Sequence, residues 1–321
     1  MESSKFDRHA NKINSSNDTM PIRCLLWGGG NVFRDYYHVV KYYETLGDIT
    51  VYGVTSNDSL YDTLGGYRFI HKKCIDYRNF DAVIIMSTQK NLTDEIITEA
   101  QARGIPNERI IPCRVLLLYG FNIKKYLKIK KSVPSIFAPN CWAGITYNSL
   151  GLQFKSPFIN MFENHDDYLS FLNNPEYYLS QPLRFKEMAF ETNLKRDFPV
   201  VSCDDILLNF NHYETFEEAE TAWNRRKERI DWNNLYVMFY DEDKGRIDQF
   251  SALPYKNKVC FTPMDYDQEC VVTINYRVNE QMKNIPFWQI VNGMASGRWP
   301  FYDTLDLLLY NKITPIATYK S

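Results

Sequence analysis

Residues Ile22–Asn31 read I-R-C-L-L-W-G-G-G-N. Ile22–Trp27 is a short, nearly continuous apolar run, the pattern of a strand buried on both faces. Gly28-Gly29-Gly30 then makes a turn, and Asn31 suits a helix N-cap. From Val32 the apolar residues recur at Phe33, Tyr36, Tyr37, Val39, Val40, Tyr43 and Leu46, a helical stripe that Gly47 closes. Strand, glycine turn and helix together open an α/β unit. Further along, Ile49–Val54 reads as a second strand. Asp81–Met86 reads as a third, with Ser87 and Thr88 capping a helix to about Arg103. Arg109–Cys113 reads as a fourth. Strands alternating with helices imply right-handed crossovers and a parallel sheet. The expectation is an α/β protein whose first domain, residues 21–131, is Rossmann-like.

A glycine turn between the first strand and its helix is where such sheets hold a phosphate. Glycine lets the backbone approach, and the helix N-terminus favours an anion. Gly28, Gly30 and Asn31 are the candidate cofactor-binding residues. The dinucleotide fingerprint needs a third glycine, and Phe33 stands there. The second strand runs out into Val54-Thr55-Ser56-Asn57-Asp58, with no carboxylate at its tip to grip a ribose. The pattern therefore speaks against NAD. It leaves a nucleotide or other phosphate ligand, or a turn that merely needs small residues.

With 321 residues the chain is too long for one ordinary core. Its net charge of −2 gives no footprint for nucleic acid. Aromatics reach 15%, which suits large cores or sugar-stacking surfaces. The 7 cysteines include no C-x-x-C pair, which points to reduced thiols and a cytoplasmic protein. Residues 1–20 are polar, without the apolar stretch of a secretory leader, and are expected to form a mobile tail. No run approaches the ~20 apolar residues of a transmembrane span. One basic run, Lys124–Lys131, reads as a solvated helix face or a weak contact with an anionic membrane surface.

The second domain, residues 132–321, is expected to be α/β with a mixed sheet. Ser135–Ala138 reads as a strand and Trp142–Leu150 as a helix, so Asn140 and Cys141 sit at a strand-to-helix turn. A thiol at a helix N-terminus is expected to have a lowered pKa. A nucleophile there needs a base nearby. The second domain holds two histidines, His165 and His212, and His212 lies at an element boundary. Asp204 or Asn140 could orient it. Cys141, His212 and Asp204 are the candidate catalytic residues. The plainer reading of Cys141 is a small buried residue at a tight turn.

Pro157–Phe162 reads as a strand, and Asn164 or His165 caps a helix over Asp166–Leu179. Pro199–Cys203 and Ile206–Phe210 read as extended. Thr215 and Glu218 form a capping box before a helix over Phe216–Arg229. Arg226 falls on its apolar face, where a guanidinium must find an anion or a set of carbonyls. Arg225 and Arg229 lie on the neighbouring face. With Asn140, Trp142, Tyr147, Tyr213 and Trp223 these arginines make up the candidate site for an anionic or sugar ligand. Leu235–Tyr240 reads as a strand ending in Asp241-Glu242-Asp243. That trio suits a divalent cation or a solvated turn, and no metal ligand is assigned.

The motifs A-P-N-C-W-A-G-I-T-Y, S-P-F-I-N, H-Y-E-T-F-E-E-A-E-T-A-W-N-R-R-K-E-R-I and F-S-A-L-P-Y-K-N-K-V-C-F-T span most of residues 135–265. They resemble a bacterial domain-of-unknown-function family whose members are often labelled exopolysaccharide biosynthesis proteins. L-L-W-G-G-G-N, D-A-V-I-I-M-S and G-I-P-N-E-R-I-I-P resemble the Rossmann-like domains that precede such proteins. Many relatives have two glycines after the tryptophan, where this chain has Ala143-Gly144. The resemblance implies a cytoplasmic step in surface-glycan assembly and assigns no catalytic residue. Three functions follow: a transferase on a glycan precursor, a cysteine–histidine hydrolase or acyltransferase, or a non-catalytic scaffold of a glycan-assembly complex.

Overall fold

The structure is a computed structural model that describes residues 20–57, 62–192 and 195–316. The tail expected over residues 1–20 lies, apart from Met20, outside the described residues, as does Asp58.

The chain begins with β1 (Ile22–Trp27), α1 (Asn31–Thr45) and β2 (Ile49–Thr55). A small ribbon, β3 (Thr63–Leu64) and β4 (Tyr67–Arg68), precedes β5 (Ala82–Ile85), α2 (Lys90–Ala102) and β6 (Ile110–Pro112). Four of these strands form a parallel sheet in the order β2-β1-β5-β6. The continuous apolar run of β1 is explained by its place in the middle: Cys24, Leu25, Leu26 and Trp27 have no exposed surface. Gly30, not Asn31, is the N-cap of α1, and Asn31 is its first helical residue. Gln89 likewise caps α2, one residue beyond the expected Ser87 and Thr88.

Helix α3 (Ile123–Lys131) carries the basic run, but the fold uses part of it internally. Lys125 pairs with Asp303 at 2.8 Å and with Asp306 at 2.6 Å. Lys130 is buried, and that burial lowers its amine to about 8. The run is therefore not one continuous solvated face.

The second half contains β7 (Ser135–Phe137), α4 (Trp142–Ser149), α5 (His165–Asn173) and α6 (Pro175–Ser180). It continues with β8 (Leu183–Glu191), β9 (Arg196–Cys203), β10 (Ile206–Asn209) and α7 (Phe216–Lys227). It closes with β11 (Leu235–Tyr240), α8 (Lys244–Ala252), β12 (Lys258–Thr262), β13 (Val271–Thr273), α9 (Phe287–Ala295) and α10 (Thr304–Tyr310). A second four-stranded parallel sheet runs β13-β12-β11-β7, and a three-stranded antiparallel sheet runs β10-β9-β8. The protein is α/β throughout.

Two local expectations fail. Pro157–Phe162 is not a strand: it turns through Asn160 at φ 65 and contributes one bridge, Phe162 to Asn209. The helix expected over Asp166–Leu179 breaks at Asn174, because Pro175 cannot continue the hydrogen-bond ladder. Strand β8 and helix α9 were not anticipated. The largest buried cluster joins β1, α3, α4, α9 and α10 in one apolar body. A second cluster packs Phe158, Phe171, Trp223 and Phe250 around the other face of β11.

Candidate active site

Strand β7 ends at Phe137, and Ala138–Asn140 turn the chain into α4, with Cys141 as its N-cap residue. Asn140 is buried. Its Oδ1 accepts from the Trp142 N–H at 3.0 Å, and its carboxamide lies against the Tyr240 hydroxyl. On the other side, the segment after β10 is pinned at several points. The Phe210 N–H donates to Pro199 O at 3.1 Å. Arg196 donates to the Asn211 carbonyl at 2.9 Å, and Thr215 caps α7. That pinned segment brings His212 over Cys141, with Nε2 lying 3.6 Å from Sγ.

The pair opens into a cleft of about 440 Å³. One wall is a stripe of α4 at helical spacing: Cys141, Gly144, Ile145 and Asn148. The facing wall is α9, through Trp288 and Asn292, one turn apart. Phe154, Asn160, Asn211 and Glu191 complete the rim. A Cβ on Gly144 would stand 3.5 Å from Ile159, ordinary contact, so packing alone does not require glycine there. Its missing side chain keeps the floor of the cleft open.

The thiol does not follow the expected electrostatics. Burial, with the Glu163 and Glu191 carboxylates adding to it, pushes Cys141 up to about 11. The helix N-terminus does not offset that burial and charge. Burial and the Arg196 guanidinium lower His212, while Glu191 works in the opposite direction. The resting pair is thus a neutral thiol beside a neutral imidazole. Glu163 lies behind the turn, its N–H bonded to Pro139 O at 3.0 Å. Both its carboxyl oxygens are buried without a partner, and burial, helped by Asp167, raises it well above the usual carboxylate range. At the start of α4, helix geometry leaves the N–H groups of Ala143 and Gly144 without an intrahelical acceptor.

The other candidates fall in different places. Asp204 sits in the β9–β10 turn at φ 54, at the far end of β10 from His212, and accepts from Tyr177 at 2.5 Å. It cannot orient the histidine. Trp142 is fully buried, with its indole N–H donating to Tyr302 at 3.3 Å. Tyr147 is fully buried between Pro134 O at 2.7 Å and the Ile136 N–H at 2.9 Å. Trp223 packs in the core on Phe158 and Phe210. These three aromatics are core residues, not cleft walls. Arg225 is exposed, and Arg229 reaches Phe154 O at 3.5 Å. Arg226 is buried and donates to Ile159 O at 3.0 Å and to the Tyr213 hydroxyl. It lies across Phe154 at 5.4 Å. Tyr213 itself donates to Ile159 O at 3.3 Å. Arg226 and Tyr213 thus clamp the carbonyl just before Asn160, behind the cleft wall.

The acidic trio after β11 is also occupied by protein. Asp241 is 2.7 Å from His165 Nδ1 and 2.6 Å from Arg246 Nε, and it accepts from the Glu242 and Asp243 N–H groups. Burial pushes its carboxyl up, but His165 and Arg246 outweigh that and hold it far below the ordinary carboxylate range. Among the described residues no group of His, Cys, Asp and Glu is arranged to hold a metal. Gly28, Gly30 and Asn31 line a separate pocket of about 320 Å³ at the carboxyl edge of the first sheet. Gly28 is required there: its φ is +124, and a Cβ would stand 2.8 Å from Met86 O.

Residues 113–310, more than half the chain, match the family described as Domain of unknown function (DUF1919), and the chain belongs to it. Residues 20–111 match the description C2185-like, N-terminal. An uncharacterized protein of Haemophilus influenzae is 32% identical over 142 residues, a stretch that covers 43% of this chain and 66% of that protein. Among solved structures, an aspartate semialdehyde dehydrogenase II from Vibrio cholerae, complexed with ASA, matches at 10% identity. It covers 68% of this chain and 66% of that one, but its TM-score of 0.25 carries no argument. Among the described residues no helix is long and apolar enough to cross a membrane.

Proposed function

We propose that this protein is a cysteine-dependent acyl-transfer enzyme, a hydrolase or acyltransferase with Cys141 as nucleophile and His212 as base. The observation that carries the reading is the 3.6 Å approach of Sγ to Nε2 at the floor of an open cleft. As Sγ attacks the acyl carbonyl, Nε2 takes the thiol proton. The bond from carbonyl carbon to leaving-group oxygen breaks, and the alcohol departs with that proton. Water or an acceptor hydroxyl then attacks the thioester, and the sulfur leaves as thiol. The oxyanion formed in each step would lie at the N-terminal end of α4, which favours negative charge. Glu191, which acts on both members of the pair, is the group placed to stabilise the imidazolium.

A phosphoryl or glycosyl transferase that uses an anionic donor is served by a cationic clamp, and among the described residues no Lys or Arg lines this cleft. For that reason the acyl reading stands ahead of the glycosyl one. A cytoplasmic step in exopolysaccharide assembly remains the setting suggested by the family resemblance. The Gly28–Asn31 pocket is the place for a nucleotide or other phosphate ligand, with NAD disfavoured by Phe33.

The test is intact-mass spectrometry after incubation with activated acyl esters and acyl thioesters. The expected result is a single acyl adduct in the wild type and none in Cys141→Ala. Its absence with every donor class would overturn the reading.

A further inference from the structure

The cleft beside Cys141 contains more than the two reacting groups. Four of its lining residues are asparagines: Asn148, Asn160, Asn211 and Asn292. Carboxamides carry both donors and an acceptor, so they pair with hydroxyls that give and take hydrogen bonds. Two of them are incomplete. The Oδ1 atoms of Asn211 and Asn292 are buried and accept no hydrogen bond. Asn211 is 9% exposed, so its unpartnered oxygen is a built feature of the wall and not a solvated tip. A buried acceptor without a donor is costly, and a ligand hydroxyl reached by a turn of the carboxamide toward the cleft would remove that cost.

Asn160 is held at φ 65 because Arg226 and Tyr213 both bind the Ile159 carbonyl that precedes it. The core therefore fixes the backbone at this position, while the Asn160 side chain itself is exposed. Opposite stands Trp288, 41% exposed, a large aromatic left at the mouth of a cleft when the other tryptophans nearby are buried. The same ring also borders the neighbouring cavity that holds Tyr240, Glu242 and Arg277. The charge is as informative as the shape. Among the described residues that line the cleft, Glu191 is the one ionisable group apart from Cys141 and His212. The Arg196 guanidinium stands behind this wall, bonded to the Asn211 carbonyl, and no lysine or arginine among the described lining residues meets a phosphate or carboxylate directly.

We propose that this cleft binds an uncharged sugar, its ring stacked on Trp288 and its hydroxyls paired with Asn160, Asn211 and Asn292. Resting on the acyl-transfer reading above, this makes the substrate an O-acylated neutral sugar whose ester carbonyl is presented to Cys141. The apolar face of a pyranose suits an indole, while carboxamides suit its edge.

Binding is measured in the Cys141→Ala variant, where no turnover can intervene. The readouts are tryptophan fluorescence and calorimetry. The probes are neutral trisaccharides of glucose, galactose and N-acetylglucosamine, a glucuronate-containing trisaccharide, UDP-glucose, and a blocked neutral tripeptide. The expected result is saturable binding of at least one neutral trisaccharide. Trp288→Ala should weaken it about tenfold, and Asn211→Ala by a similar factor. Trp288→Phe, which keeps an aromatic face, should retain most of the affinity. Circular dichroism confirms that each variant is folded.

Binding of the charged sugars or the tripeptide in preference to the neutral ones would overturn the proposal. So would equal affinity in Trp288→Ala, or no neutral saccharide bound at all. Acyl-adduct formation at Cys141 is followed in parallel in the wild type. An adduct without sugar binding sinks the sugar site and leaves the acyl chemistry standing; sugar binding without an adduct does the reverse.

Discussion

Nε2 of His212 faces Sγ of Cys141 at 3.6 Å, and at neutral pH neither group carries charge. A preformed thiolate–imidazolium pair would react with alkylating agents at a constant rate across neutral pH. This pair should not. The thiol is pushed up to about 11, so the rate of iodoacetamide labelling at Cys141 should climb with pH toward that value, without a neutral plateau. Peptide mapping after timed labelling measures it. A plateau already reached at pH 7 would show that the thiol ionises far more readily than its surroundings dictate.

Glu163 gives a prediction for stability. Its folded-state pKa is raised well above the ordinary 4.5, first by burial and then by Asp167. A raised acid contributes stability that is fully present below the unfolded value and is lost as pH rises through the folded one. Glu163→Gln has no such proton to lose. The variant should therefore gain on the wild type in melting temperature as pH goes from 4.5 upward. Each pKa unit of elevation corresponds to about 1.4 kcal/mol, or roughly 3 °C. Parallel melting curves at acid and mildly alkaline pH decide it, and a pH-independent gap counts against a protonated Glu163.

Asp241 behaves in the opposite sense. His165 and Arg246 hold its carboxyl below the ordinary 3.8 despite burial. A depressed acid contributes stability that is present above the unfolded value and is lost as pH falls through the folded one. Asp241→Asn should cost about 1–3 kcal/mol at pH 7, because it leaves the partly buried His165 and Arg246 donors facing a neutral amide. The gap between the two proteins should narrow only below pH 3.8. Since His165 and Arg246 already fill this carboxylate, adding Mg²⁺ or EDTA should leave the melting temperature unchanged; a rise with Mg²⁺ would return the trio to metal binding.

These tests bear on how much could be read from sequence. The parallel sheet around β1 was legible because an apolar run, a glycine turn and a helical stripe follow one another within residues 22–47. The capping box fixed α7 for the same reason: Thr215 and Glu218 act locally. Local pattern also placed Cys141 and His212 at element boundaries, but only tertiary packing sets the 3.6 Å between them. Packing also decided against Trp142, Tyr147 and Trp223, whose size marks them equally for a core and for a ligand platform. The cleft wall was missed because α9 was missed. Phe287, Ile290, Val291 and Met294 do form a readable apolar stripe after Pro286, and Trp288 and Asn292 share the face beside it. Asn160 gave no signal, since its left-handed backbone depends on a clamp from Arg226, distant in sequence.

Arg226 completes the set. Its position on an apolar helical face allows two outcomes, a substrate anion or a set of protein acceptors, with Arg225 and Arg229 on the neighbouring face. The geometry separates the three. Arg225 points to solvent, Arg229 reaches Phe154 O, and Arg226 is spent on Ile159 O, the Tyr213 hydroxyl and the face of Phe154. A lysine would keep the charge but cannot bond the carbonyl and the hydroxyl from one planar group while stacking on the ring. Arg226→Lys should therefore lose about 1–3 kcal/mol of stability, the scale of a charged hydrogen bond left unmade. Affinity for anionic sugar nucleotides, measured by calorimetry per folded molecule, should not change. A variant that melts like the wild type and yet loses such a ligand would move Arg226 from the clamp behind Asn160 into the binding site.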